Sequence, residues 1–126
     1  MPQIATVSAN DSTSVSHVFT PNGATGGVGT FANRAPGVPA LFDTLRVEMS
    51  PPQGNRSVYR FKLGMYNPIE DSVVDGKVGR YNSVDLTINL SPESTEAERQ
   101  DTLVLLKNLL GTSLIDDVVQ YAESLY

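Results

Sequence analysis

Cysteine is absent from this 126-residue chain, which excludes disulfides, thiolate zinc sites and cysteine nucleophiles. Histidine occurs once, as His17, inside an expected N-terminal strand, where a lone imidazole reads as an ordinary surface or packing residue. No apolar run approaches the ~18 residues needed to cross a bilayer, so no membrane partner is expected. Met1-Pro2-Gln3-Ile4 lacks the basic and apolar regions of a signal peptide, which predicts a cytoplasmic location. The sequon matches at Asn10, Asn55 and Asn89 then read as chance. Glu70, Asp71 and Asp75 lack the spacing of an EF-hand. The pair Asp116-Asp117 suits a helix's first turn, where carboxylates favour the dipole; adjacent helical side chains diverge by ~100° and do not converge on a metal or a reacting atom. No catalytic residue, metal site or cofactor is expected.

What is present is an ordinary globular composition, 40% hydrophobic, with a net charge of −5 that is unevenly spread. A single domain of this length buries roughly two-thirds of its unfolded surface. Six of the nine basic residues (Arg46, Arg56, Arg60, Lys62, Lys77 and Arg80) fall between positions 46 and 80, whereas seven acidic residues lie from Glu93 onward. Such asymmetry places a basic surface on one side and an acidic one on the other, or reflects two merely solvated faces.

The pattern predicts strands first and helices last. Ile4–Ala9 and Val15–Thr20 read as a hairpin around Asn10-Asp11-Ser12, and Pro21-Asn22-Gly23 as a turn. The glycine-rich run from Gly23 to Gly29 lacks the Lys-Ser/Thr ending of a phosphate loop and the dinucleotide spacing. It reads instead as a flexible connection into a short strand near Val28–Ala32, and Arg34–Pro39 as an irregular link. Thr44–Ser50 and Val58–Tyr66 alternate and are joined by a turn at Pro51–Asn55, with Pro68 ending the second strand or marking its edge. After a polar loop over Glu70–Gly79, Ser83–Leu90 alternates without a miss.

Two helices close the chain. Thr95-Glu96-Ala97-Glu98 offers a capping box and Gly111 a stop; Ser113-Leu114-Ile115-Asp116 offers a second capping-box-like start. Residues 103–110 are apolar over more of the helix circumference than one sheet face can cover, which predicts burial against a second copy of the chain. Leu103, Leu106, Leu109, Leu110 and Val118 are the candidate dimer contacts. The expected architecture is α+β, an antiparallel meander with both helices packed on its apolar face. Residues 1–126 form one domain: about 1–36 for the hairpin and links, 42–91 for the main sheet, and 94–124 for the dimerisation helices.

The opposite, solvent face of the sheet gathers Arg46, Glu48, Arg60, Lys62, Tyr81, Ser83, Asp85, Thr87 and Asn89. Cations, hydrogen-bonding groups and an aromatic suit phosphate contact and base stacking; a plain solvated face is the alternative.

Gly37-Val38-Pro39-Ala40-Leu41, the turn entering Asn55-Arg56, Asn67-Pro68, Asp85-Leu86-Thr87, Ser94–Arg99, Leu114-Ile115-Asp116-Asp117 and the terminal Tyr126 follow one another as in coat proteins of single-stranded RNA bacteriophages. The chain resembles this levivirus family from about Val38 to Tyr126, and in its hairpin pattern before that. The resemblance implies an intertwined dimer with a continuous sheet, with each subunit's helices crossing over its partner. Dimers would build an icosahedral shell in the bacterial host cytoplasm, the solvent face toward the genomic RNA and the Glu70–Gly79 loop around the symmetry axes. It also implies an RNA hairpin contact that represses replicase translation.

By the same resemblance, Asn55, Arg56, Arg60, Lys62 and Asp85 fall on or beside RNA-contacting positions. Three departures matter, two for specificity and one for the shell. Ser83 stands where relatives carry a stacking tyrosine, although Tyr81 lies two residues earlier on the same face. Arg46 and Glu48 replace small hydroxyl residues of an adenine pocket. The loop cysteines are missing, so a shell must hold without cross-links. General genome contact is therefore expected ahead of hairpin specificity. A small dimeric RNA-binding regulator that forms no shells is the alternative, and an enzyme using His17, Asp116 or Asp117 a third.

Overall fold

Alternating segments become strands where a buried and a solvated face coexist, and six of them form one sheet in the order β1-β2-β3-β4-β5-β6. The strands are β1 (Val7–Asn10), β2 (Ser16–Thr25), β3 (Val28–Asn33), β4 (Asp43–Ser50), β5 (Tyr59–Glu70) and β6 (Val78–Leu90). The computed structural model describes residues 3–125; Tyr126, which carries part of the resemblance, lies outside them, as do Met1 and Pro2. Two units are distinguished: the sheet, ending at Asn89, and a helical segment from Leu90 onward.

Strand β2 divides its length between two neighbours. Ser16–Phe19 pairs with β1, and Thr20 onward pairs with β3. Pro21-Asn22-Gly23 is therefore not a turn but lies within β2. Pairing steps from Pro21–Phe31 to Gly23–Thr30, leaving Asn22 as the extra residue of a bulge. The Arg34 guanidinium bonds to the Asn22 side chain and, at 2.5 Å, to the Thr20 hydroxyl, which holds the bulge in place.

The true turn lies three residues on. Thr25 pairs with Val28, so Gly26 and Gly27 alone close the β2–β3 hairpin, with φ of 61° and 81°. Two successive positive φ values make a type I′ turn, whose twist matches the strands it joins. The glycine run is thus a tight turn rather than a flexible connection. The Arg34–Pro39 link is irregular as expected until a single 3-10 turn over Pro39–Leu41 buries Leu41.

Both later strands are longer than their alternation suggests. Of the two roles expected of Pro68, the edge role fits. Strand β5 runs on to Glu70, but its ladder with β4 stops at Tyr66, opposite Thr44, so the missing N–H lies beyond that pairing. The β5–β6 loop shortens to residues 71–77. Its Asp71 carboxylate accepts the Val73 and Val74 amides, Glu70 accepts the Gly76 amide, and Gly76 adopts φ 77°.

The buried core of the sheet is small: Phe19, Phe31, Ala32 and Leu41, with Asn33 and Asp43 as buried polar neighbours. The expected apolar face of β4 and β5, from Leu45 to Met65, is half-buried, and Met49 and Val84 are exposed.

Helix α1 spans Glu96–Leu110 and α2 spans Ser113–Tyr121. The Thr95 capping box forms in both directions. The Thr95 hydroxyl accepts the Glu98 amide, and the Glu98 carboxylate accepts the Thr95 amide. Gly111 caps α1 as expected. The start of α2 differs: its N-cap is Thr112, not Ser113, and Thr112 Oγ1 donates to the Leu109 carbonyl instead of receiving an amide. One hydroxyl cannot both close α1 and cap α2 in that rotamer.

Candidate nucleic-acid interface

Cross-strand pairing decides which side chains share the solvent face. Arg46 on β4 lies opposite Gly64, Glu48 opposite Lys62, and Ser50 opposite Arg60 on β5. Same-face neighbours on paired strands are close enough to act together. Arg46 Nη2 donates to Glu48 Oε2 at 3.3 Å along β4. Across from β6, Arg60 Nε donates to Asn89 Oδ1 at 3.3 Å.

Two adjoining depressions mark this face. One, of about 420 Å³, includes Arg46, Gly64, Tyr66, Ser83 and Asp85 in its lining. The other, of about 410 Å³, is bounded by Arg46, Glu48, Lys62, Asp85 and Thr87 around Gly64. Arg46, Gly64 and Asp85 belong to both. Tyr81 lines neither, but its ring centroid stands 5.2 Å from that of Tyr66, tilted by 39°. An exposed Tyr81 beside Tyr66 makes an aromatic platform next to the first depression.

Arg46, Glu48, Lys62, Ser83 and Asp85 are thus brought together, with Arg60 one pairing step beyond Lys62 and Tyr81 beside Tyr66. The turn residues are different. Arg56 Nη2 donates to Ser50 Oγ at 3.1 Å and to the Pro51 carbonyl at 2.6 Å, while its Nε is buried with no partner among the described residues. Its guanidinium is occupied in holding the β4–β5 turn closed. Asn55 is exposed at the same turn.

Asn22, Thr30 and Thr44 also line the first depression, beyond the residues that sequence reasoning picks out. The alternation around Phe31 and Leu45 is the signal that finds the two threonines. Asn22 has no such signal, because its placement depends on the bulge.

His17 is more than a packing residue. Its Nδ1 lies 2.6 Å from Asp43 Oδ2 and its Nε2 lies 2.9 Å from Asp11 Oδ2. Only the imidazolium donates from both nitrogens, and the bonds to Asp11 and Asp43 raise the His17 pKa above its ordinary 6.5. Asp11 is held well below the usual carboxylate range, first by His17 and then by Thr13 and Val15. Both nitrogens are committed to carboxylates, so the ring is a structural clamp. Among the described residues no cluster is placed to hold a metal ion. Asp116 sits in the first turn of α2, as the dipole favours.

The candidate dimer contacts remain uncovered in the single chain. Leu103, Leu109 and Leu110 are 44%, 58% and 54% exposed, and Leu106 and Val118 are intermediate.

Comparison with known proteins identifies the family and the fold. The levivirus coat protein family matches residues 2–126. The capsid protein of Escherichia virus Qbeta is 30% identical over 114 residues, covering 86% of this chain and 85% of that protein. The virus-like particle of Beihai levi-like virus 21 matches with a TM-score of 0.88 at 27% identity over 99% of each chain. An unassembled bacteriophage coat protein described as an RNA-binding dimer shares the fold, at a TM-score of 0.59 and 13% identity over 97% of each chain.

Proposed function

The chain belongs to the levivirus coat protein family, and from that premise we propose that it pairs with a second copy, assembles into an icosahedral shell and holds genomic RNA on the solvent face of its sheet. Family membership makes it a structural component of the virion and not an enzyme.

The observation that carries the RNA reading is the convergence of Arg46, Arg60 and Lys62 on one open sheet face in a protein of net charge −5. An acidic protein that concentrates cations on one face directs that face to polyanions. Mixed with them are Asn89, Ser83 and the Tyr66–Tyr81 pair, suited to sugar, base-edge and stacking contacts. Asn55 and Arg56 lie at the rim, Asn55 being the freer to reach RNA. With Ser83 in place of a stacking tyrosine, general genome contact is favoured over recognition of one hairpin, and replicase repression is the narrower part of the proposal.

Pairing rests on two features. Strand β6 ends the sheet order with 13 residues, so one edge of its backbone is available to another strand. The exposed leucines of α1, with Val118 of α2, need apolar cover. A second copy supplies both at once, giving an isologous two-fold contact.

Electron microscopy of purified protein should show uniform round particles containing RNA; stable isolated dimers alone would instead favour a regulator that forms no shell. Replacing Arg60 and Lys62 by alanine should weaken RNA binding and flatten its dependence on salt, by about one unit of log–log slope for each phosphate no longer neutralised. An unchanged slope removes those two residues from the interface.

A further inference from the structure

On the solvent face Gly64 leaves a floor of bare backbone between two groups of opposite character. Arg46 is its cross-strand partner on β4, and a Cβ placed on Gly64 would stand 3.8 Å from Asp85 Oδ1. The two depressions meet at these three residues, and each falls within the ~300–1,000 Å³ typical of small-ligand sites. Arg46 gives one donor to Glu48, which orients the guanidinium and leaves its other N–H groups available. Asp85 is exposed and has no hydrogen-bond partner among the described residues.

A free carboxylate repels phosphate, so Asp85 is misplaced for backbone contact and well placed for a base edge. We propose that the Gly64 floor receives a guanine of the bound RNA, read by Asp85 on one side and Arg46 on the other. This rests on the RNA-binding reading above. Guanine alone presents two adjacent donors, N1–H and the 2-amino group, which match both oxygens of one carboxylate. Its O6 and N7 are the acceptors a guanidinium pairs with in bidentate fashion. Cytosine and adenine offer one amino group beside a ring acceptor that faces the second carboxylate oxygen. Uracil flanks its single donor with two carbonyl oxygens and is opposed most strongly. The Tyr66 ring, backed by Tyr81, lines the same depression and offers a face for stacking.

The test uses unassembled protein and short single-stranded oligoribonucleotides differing at one position: guanosine, inosine, cytidine, adenosine or uridine. Fluorescence anisotropy should show the guanosine strand binding on the order of tenfold tighter than the uridine strand. Inosine, which lacks the 2-amino group, should fall between them. Asp85→Asn should erase the difference between the guanosine and inosine strands, because the carboxylate that reads the 2-amino group is gone. It should also tighten the uridine strand as a negative charge leaves the face, while the part of the preference that Arg46 supplies through O6 and N7 stays. Salt-sensitive binding without base preference, or a guanosine-over-inosine difference that survives Asp85→Asn, overturns this inference alone. Absence of salt-sensitive binding to every strand overturns the RNA-binding reading and this inference with it.

Discussion

His17 ties the N-terminal hairpin to the main sheet through two carboxylates separated by 32 positions, Asp11 at the tip and Asp43 at the start of β4. Asn33 Nδ2 also bonds Asp43 at 3.3 Å, so the buried carboxylate is shared by neutral and cationic donors. Because the folded pKa of His17 lies above 6.5, its stabilising contribution is complete below that pH and is lost as pH rises through the raised folded value. Asp11 acts in the opposite sense: its contribution is present above about 3.8 and is lost as pH falls through its depressed folded value. The hairpin is therefore held best between those limits. A titration followed by NMR should place the His17 midpoint above 6.5, with amide exchange in β1 and the first half of β2 accelerating through the same range. Asp11→Asn should lower that midpoint; a wild-type midpoint at or below 6.5 would rule the clamp out. Alternation alone assigns His17 to a strand but names no partners for it, since contact with Asp43 depends on how β2, β3 and β4 register.

Local chemistry makes some elements legible and long-range pairing hides others. The Thr95–Glu98 capping box is readable because both partners lie within one turn. Thr95→Ala should cost about 1 kcal/mol in urea unfolding, and an unchanged midpoint would show that the cap contributes nothing. The bulge at Asn22 is not readable, because Pro-Asn-Gly has turn chemistry and only pairing with β3 makes it strand. The adjacent Gly26-Gly27 turn gives a graded test. Gly26 has φ 61° with open space around its Cβ position, so Gly26→Ala should cost about 1 kcal/mol for the left-handed backbone alone. Gly27 adds a clash, since its Cβ would stand 2.7 Å from the Met49 carbonyl oxygen, on the neighbouring strand. Gly27→Ala should therefore lower the unfolding midpoint clearly further than Gly26→Ala. Equal losses would mean that β4 yields to the methyl group without strain.

At the scale of the whole molecule, strand order and the two closing helices follow from pattern alone, but what covers the apolar surface does not. Among the described residues the buried apolar side chains are few, Phe19, Phe31, Ala32, Leu41 and Pro68, while Leu105, Leu109 and Leu110 each leave more than half their surface exposed. Fully burying one leucine contributes roughly 1.5–3 kcal/mol, so covering several of them changes stability by as much as a small domain's whole margin. A fold completed by a second copy is stabilised by mass action, and its unfolding depends on concentration. For unassembled protein, the urea midpoint should rise with protein concentration, and sedimentation equilibrium should report a dimer. Leu109→Glu, an exposed position on α1, should lower that midpoint and shift sedimentation toward monomer, because a charge placed in an apolar contact is desolvated without a partner. The helix itself tolerates glutamate well, so loss of helical propensity does not account for such a shift. A Leu109→Glu variant that stays dimeric, with the same concentration-dependent midpoint as the parent, would mean that the α1 leucines are not what joins the two copies, leaving the open edge of β6 as the contact to test.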